Sequence, residues 1–357
     1  MAVLRVVMDQ VNDVVDADQA EAARSLMRGL AATAPPKCTV EAIVPGGGSE
    51  PVVDGADSVH RLVLARRELG AAWQLGVVAG IGGGMIHAPT LFAPLAKHDR
   101  ANDYDQTVAT VWDLRAWAAP EQLSRASVLW QRSMLKRAVK HADAVVVPTH
   151  AMAEQLAALG RFGDRVRVIP GAAPEGFAIP LDAGPRRTDL GAPARYVVAT
   201  GTAETLAPVF AAAVDRDADA FVLDAPEGSA AAFAEAAAAA GLAAPRVHVL
   251  GQLDAPDRAA LLAGALAFTA ADPAPVWPWR LVEALGLGVP VIAAESGVHR
   301  DVLAEGGLLV APDGFTDALR DAVGEGARRL SVLAADRSRA YSWHGSAERV
   351  WTLHAEL

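Results

Sequence analysis

The chain is poor in the features that mark several protein classes. A single cysteine, Cys38, among 357 residues cannot close an internal disulfide, so no covalent staple is expected. The nine histidines never fall at a ligand spacing such as His-x3-His, and no metal site is expected. Basic residues are outnumbered. With 32 Lys and Arg against 42 Asp and Glu the net charge is −10, a field that repels a nucleic-acid backbone and excludes that partner class. A nucleotide ligand is not excluded, because it needs only local positive charge. No stretch of about 18 uncharged apolar residues appears, so no membrane span is expected. The start, Met1 to Asp9, lacks the long apolar region and small-residue cleavage site of an export signal. These absences leave a cytoplasmic protein, independent of metal and cofactor, as the expectation.

What is present is a well-packed globular composition, 52% hydrophobic and 21% charged, long enough for two domains. Val3 to Met8 is a short apolar run ending in Asp9, the pattern of a buried parallel strand, and Ala17 to Ala32 follows with helical spacing. Further strands are expected at Thr39 to Val44, Met85 to His87, Val108 to Trp112, Ala144 to Val147 and Val166 to Ile169, with helical patterns between most of them. Pro170, Pro174, Pro180, Pro185 and Pro193 then mark a linker, and the boundary is expected near residue 184. The alternation restarts at Tyr196 to Thr200 and recurs at Phe221 to Asp224, Val247 to Leu250, Ala265 to Thr269, Val289 to Ala293 and Gly307 to Val310. Strands alternating with helices imply two doubly wound α/β domains, 1–183 and 184–330, followed by a helical tail, 331–357, carrying Trp343 and Trp351. The Ala-rich run 230 to 240, interrupted by Glu235, reads as a surface helix.

The most informative stretch is 281 to 313, opening Leu-Val-Glu-Ala-Leu-Gly-Leu-Gly-Val-Pro-Val-Ile. It resembles the donor-binding segment of the retaining, nucleotide-sugar-dependent glycosyltransferases with two Rossmann-like domains facing across a cleft, the GT-B class. There the pattern runs Glu-Gly-Phe-Gly, four residues, Glu-Ala, then Gly-x-Pro-Val-Ile. The likeness extends along most of the chain. Met85-Ile-His-Ala-Pro-Thr resembles the family's His-Ser-Pro strand end, Val111-Trp112-Asp113-Leu114 its Val-His-Asp-Leu, and Arg167-Val-Ile-Pro-Gly171 its Val-Ile-Pro-Asn-Gly. Val198-Ala-Thr-Gly201 resembles the strand and glycine that precede an Arg-Lys pair on the donor diphosphate. The resemblance also implies that the tail crosses back onto the first domain.

Departures cluster at ligand-contacting positions. The first Glu of the donor motif is Pro275, its Phe is Trp277, the Arg-Lys pair is Leu206 and Ala207, and Trp112 stands where His is common. The resemblance assigns Glu283 to the donor ribose hydroxyls, and Gly201, Thr202, Trp279, Arg280 and Leu281 to the donor pocket. On that reading Glu283 faces the cleft, and Glu283→Ala weakens nucleotide binding while barely moving the melting temperature. The plain alternative is an acid in a helix first turn. Trp112 is a candidate to stack on a sugar or base, or a core residue. His299, with Arg300 beside it, is the histidine placed best for ligand contact. Arg280 or Arg300 is a candidate to supply the positive charge missing at Leu206 and Ala207, the alternative being an ordinary ion pair, Arg300 with Asp301 or Glu305. Gly80-Ile-Gly-Gly-Gly84 precedes a strand and lacks Lys-Ser/Thr, so it reads as a connection rather than a phosphate loop. No residue announces itself as a catalytic acid, base or nucleophile.

The function implied is transfer of a hexose, with retention, from a nucleotide diphosphate sugar to a glycan or small-molecule acceptor. The alternative is a catalytically degenerate GT-B homologue acting as a binding protein or partner subunit, which the altered ligand positions make a live reading. Fold alone does not decide between them.

Overall fold

A computed structural model describes residues 2–48, 52–78, 80–98 and 105–357, in two compact units. The first unit takes the chain as far as Ala172, together with Ala274–Trp277 and Ser342–Leu357. Among the described residues its sheet has seven strands: β1 (Ala2–Val7), β2 (Cys38–Gly46), β3 (Ser58–Ala65), β4 (Met85–Ala88), β5 (Gln106–Thr110), β6 (Ala144–Val147) and β7 (Val166–Val168). They lie in the order β3-β2-β1-β4-β5-β6-β7, every pair parallel. Leu4, Val6, Val40, Val108 and all four residues of β6 are buried, as strands covered by helices on both faces must be. The exceptions are the two edge strands: Val59 and Val63 of β3 are exposed, and all of β7 is half-buried.

The second unit comprises Ala173–Pro273 and Pro278–Tyr341. Its strands are β8 (Tyr196–Thr200), β9 (Asp219–Val222), β10 (Val247–Val249), β11 (Phe268–Ala270), β12 (Val291–Ala294) and β13 (Leu308–Val310). The order is β10-β9-β8-β11-β12-β13, again all parallel. Counted from the first strand of each unit, both sheets run third, second, first, fourth, fifth, sixth, with a seventh strand added in the first unit, the order of doubly wound nucleotide-binding folds. In such a sheet the chain reverses its direction of winding between the first and fourth strands, which opens a crevice at their carboxyl ends. In the second unit these are β8 and β11. Leu206, Val209 and Phe210 of the helix Ala203–Asp215 pack with Val222, Phe233, Ile292 and Leu319 in the core beneath that point.

The expected boundary near 184 falls inside the second unit, because the segment before it is tied there. The helix Ala183–Asp189 is bonded to the helix Ala255–Gly264 through Arg186 to Asp257 at 2.6 Å, and the Arg258 guanidinium lies 5.8 Å from the Phe177 ring centre. At the other end, residues 331–341 remain with the second unit, and Ser342–Leu357 joins the first. The terminal helix Trp343–Glu356 buries Trp343 and Trp351, and the Trp351 indole donates to Leu30 O at 3.1 Å. Ser346 donates to Pro170 O at 2.7 Å.

The glycine run 80 to 84 enters β4 at its amino end, opposite to the edge where a doubly wound fold binds ligands. Arg5 donates to the carbonyls of Ile81 and Gly83, and Asp105 accepts from Gly84 N at 2.6 Å. It is a connection braced by a neighbouring arginine and an aspartate.

Candidate functional site

Two helices begin at the winding-reversal point of the second unit: Ala203–Asp215 after β8 and Trp279–Gly286 after β11. The turn into the first is Gly201-Thr202. A Cβ on Gly201 would lie 2.7 Å from the Thr205 hydroxyl and 3.2 Å from the Leu206 side chain, so only glycine lets the strand fold this closely onto the helix. Thr202 caps the helix by accepting from Thr205 N at 3.2 Å, and Thr205 returns the bond by accepting from Thr202 N at 2.9 Å. The first turn carries an exposed acid, Glu204. It suits the positive end of the helix dipole, but its sign is opposite to that of the cations the family keeps nearby. Leu206 is wholly buried in the core, and Ala207 is half-buried.

Glu283 is 1% exposed and is the centre of a charged network. Arg258 grips it side-on, Nη2 to Oε1 at 2.7 Å and Nε to Oε2 at 3.1 Å. Arg280 adds a third bond, Nη1 to Oε1 at 2.9 Å. A carboxylate offers about four acceptor positions, so three are occupied and only one, on Oε2, is left. Arg258 completes its own set by donating to Leu253 O at 2.6 Å. Arg280 reaches on to Asp224, Nε to Oδ2 at 2.9 Å and Nη2 to Oδ1 at 3.4 Å. The chain of charges therefore reads Asp224, Arg280, Glu283, Arg258, two of each sign. Burying three of these charges, those of Arg280, Glu283 and Arg258, is tolerable only because each meets an opposite one.

This geometry changes two expectations. Glu283 is not an open carboxylate presenting both oxygens to a ribose, and its removal would strand two arginines, each more than nine-tenths buried. A small effect of Glu283→Ala on melting is thus no longer expected. Arg280, offered from the sequence as a diphosphate cation, is already bonded to two carboxylates.

The other residues singled out are dispersed. Leu281 is core, and Trp279, first in its helix, is half-buried. His299 is buried, its Nδ1 2.7 Å from Ala294 O. Because a carbonyl only accepts, Nδ1 carries the proton, and burial lowers the imidazole pKa below its ordinary value, so the ring is neutral near pH 7. Arg300 forms an exposed pair with Glu295 at 2.7 Å, rather than with Asp301 or Glu305.

Trp112 and Pro275 belong to the first unit. Trp112 is 5% exposed, and its indole N–H is consumed by Pro89 O at 2.7 Å. Its ring lies 6.3 Å from that of Trp277 and 6.5 Å from that of Trp343, so it is a core residue with no face turned to a ligand. Pro275 O accepts from Leu114 N at 2.9 Å, Val276 bridges antiparallel to Asp113, and Trp277 N donates to Trp112 O at 2.8 Å. The segment that carries the family's sugar-binding turn is here a short strand-like tie. Gly171 follows from the same packing, since a Cβ there would meet the Trp277 indole nitrogen at 2.9 Å and Trp112 at 3.1 Å. Among the described residues no group of three or more His, Cys, Asp or Glu is placed to hold a metal ion, and no helix is long and apolar enough to cross a membrane.

Residues 206–325 match the family model of glycosyl transferases group 1. This stretch is similar to the group 1 glycosyltransferases. No curated protein sequence matches the chain. Among solved structures it is similar to sucrose-phosphate synthase from Thermosynechococcus elongatus, with TM-score 0.70 at 18% identity over 100% of this chain and 99% of that one. It is similar also to HepE of Anabaena in complex with UDP and glucose, with TM-score 0.69 at 15% identity over the whole of both chains. A third likeness is to the catalytic domain of starch synthase IV from Arabidopsis thaliana bound to ADP and acarbose, with TM-score 0.65 at 14% identity over 99% of each. At these identities the likeness is one of fold, and that fold is GT-B.

Within the matched stretch, the sequence pointed to Glu283 but not to the residues that hold it. Arg258 and Asp224 lie 25 and 56 positions from the residues they bind. Neither belongs to a local motif. The available hint was that both stand where a strand or loop meets a helix at the carboxyl edge of a parallel sheet.

Proposed function

We propose that this protein is a glycosyltransferase that moves a hexose from a nucleotide diphosphate sugar to a glycan or small-molecule acceptor with retention of configuration. The observation that carries the reading is the position of Glu283. It stands midway along the helix Trp279–Gly286, which follows β11 beside the winding-reversal point of a sheet that runs in nucleotide-binding order. The donor is assigned to this edge of the second unit. The Gly201-Thr202 turn admits close approach at the start of the helix Ala203–Asp215, where backbone N–H groups favour an anion. The remaining acceptor position of Glu283 takes one ribose hydroxyl. Cleavage of the anomeric C–O bond leaves its electron pair on the diphosphate, and that charge must be met by donors already in place. Arg280 is the side chain assigned to it. The structurally similar proteins solved in complex with UDP or ADP lend support to a nucleotide donor.

The sealed state of Glu283 favours a second reading. With Arg258 and Arg280 both engaged by carboxylates and Leu206 turned into the core, a GT-B homologue that binds without turning over fits the same geometry. Calorimetric titration with the nucleoside diphosphates of all common bases tests the shared premise. A ligand present at a hundredfold excess over its Kd stabilises the fold by about 2.7 kcal/mol, and one base is expected to do so. Sugar transfer from the matching nucleotide sugar, with the product anomer read by NMR, then separates the readings. Failure of every nucleoside diphosphate to bind refutes the donor site, and binding without turnover favours the degenerate homologue.

A further inference from the structure

The donor pocket proposed above contains an acid that the proposal does not use. Asp224 follows β9, while Arg280 belongs to the helix that follows β11. In the sheet, β8 lies between those two strands. A side chain that starts beyond β11 and hydrogen-bonds a residue beyond β9 must pass over the carboxyl end of β8. That is the place where the Gly201-Thr202 turn opens and where a doubly wound fold seats a phosphate. The Arg280 guanidinium is therefore already at the phosphate seat, and the anion it holds there is a carboxylate of the protein.

The members of the network are unequal. Arg280 and Glu283 are 3% and 1% exposed on their side chains, while Asp224 is 35% exposed. Glu283 keeps its two-bond grip from Arg258 whether or not Arg280 moves. Asp224, at the edge of water, regains hydration when it lets go. Its backbone is in the left-handed region, φ 56°, which Asn and Gly also adopt readily. We propose that Asp224 is an internal stand-in for the donor diphosphate, and that Arg280 exchanges Asp224 for the diphosphate when a nucleotide binds. The cation missing at Leu206 and Ala207 is thus supplied from the opposite side of β8 and held neutral until a competing anion arrives. No bond other than hydrogen bonds is made or broken, and the displaced carboxylate turns to water. The inference rests on the donor-site reading.

The test compares the full chain with Asp224→Asn, Asp224→Gly and Asp224→Asn/Arg280→Gln, titrating nucleoside diphosphates and the matching nucleosides by calorimetry. Circular dichroism confirms the fold, and either Asp224 variant serves if the other fails to express. Removing the competing carboxylate is expected to tighten diphosphate binding about tenfold, to leave nucleoside binding unchanged, and to have no such effect once Arg280 is also replaced. Equal or weaker diphosphate binding by the Asp224 variants overturns the exchange while leaving the nucleotide reading intact. A gain that persists without Arg280 overturns it also. No binding of any nucleotide or nucleoside to any of the proteins overturns the donor site and the exchange together.

Discussion

Replacing Glu283 with Ala separates a ligand-facing acid from a structural one. As a solvent-ready ribose acceptor, Glu283 would be lost at little cost to stability. Held as it is, its removal takes two hydrogen bonds from Arg258 and one from Arg280; Arg258 keeps Leu253 O and the Phe177 ring, and Arg280 keeps Asp224. Breaking a buried pair by deleting one partner costs about 3–5 kcal/mol, because a charge is left without compensation. For a domain of this size each kcal/mol lowers Tm by about 2–4 °C, so a fall of roughly 6–20 °C is expected. The assay is calorimetric melting of the full chain, with urea unfolding followed by circular dichroism. The cycle is closed with Arg258→Met and Glu283→Leu/Arg258→Met. The double variant removes the stranded charge along with its partner, and should be more stable than the summed single losses by at least about 2 kcal/mol. Glu283→Ala melting within about 2 °C of the parent, or strict additivity in the cycle, would refute the claim that this carboxylate anchors the network, since even 1 kcal/mol moves Tm further.

Much of the scaffold was legible because parallel strands covered on both faces read as unbroken apolar runs. Ala144–Val147, all apolar and all buried, is the clearest instance. Ser58–Ala65 escaped notice for the opposite reason. As an edge strand it alternates buried Leu62 with exposed Val59 and Val63 and carries His60 and Arg61, so no apolar run announces it. Val111 and Trp112 read as strand in the sequence, but β5 ends at Thr110, and the chain there turns toward the bridge between Asp113 and Val276. Proline spacing located a linker without locating its allegiance, which is decided by tertiary contacts of Phe177 and Arg186. For the site, a local motif exposed Glu283, but the charges that determine what Glu283 can do come from helices and strand ends brought together only by the sheet order. In the sequence, Trp112 stands where the family commonly has His, and Gly171 falls in the segment that resembles its Val-Ile-Pro-Asn-Gly. In the fold they answer to each other and to Trp277.

The terminal helix offers two further tests. Deleting Ser342–Leu357 uncovers the surface that holds Trp343, Trp351 and Val350, and size-exclusion chromatography is expected to show aggregation. A soluble, folded, monodisperse truncation would show the helix to be dispensable. The second test is pH dependence. His354 in this helix and His87 of β4 meet edge-on, ring centres 5.6 Å apart, and His87 Nδ1 and His354 Nε2 are buried without hydrogen-bond partners. His354 bonds Gln106 at 2.9 Å through its other nitrogen. Burial lowers both, His87 well below its ordinary value and His354 to about 4. A histidine whose folded pKa lies below its unfolded value of about 6.5 takes up a proton more readily when unfolded, so its contribution is intact above pH 6.5 and is lost as pH falls from there toward 4. At pH 5 His354 alone should cost about 2 kcal/mol relative to pH 7.5. Asp9 and Asp16, whose pKa values are raised by burial from 3.8, work in the opposite sense. The decisive quantity is therefore the difference between the parent and His354→Phe, not the absolute slope. Urea unfolding at pH 7.5 and pH 5 should show a smaller loss on acidification in the variant, by about 2 kcal/mol. Equal losses in the two proteins would mean that this ring titrates alike in the folded and unfolded chain, and that its burial carries no electrostatic penalty.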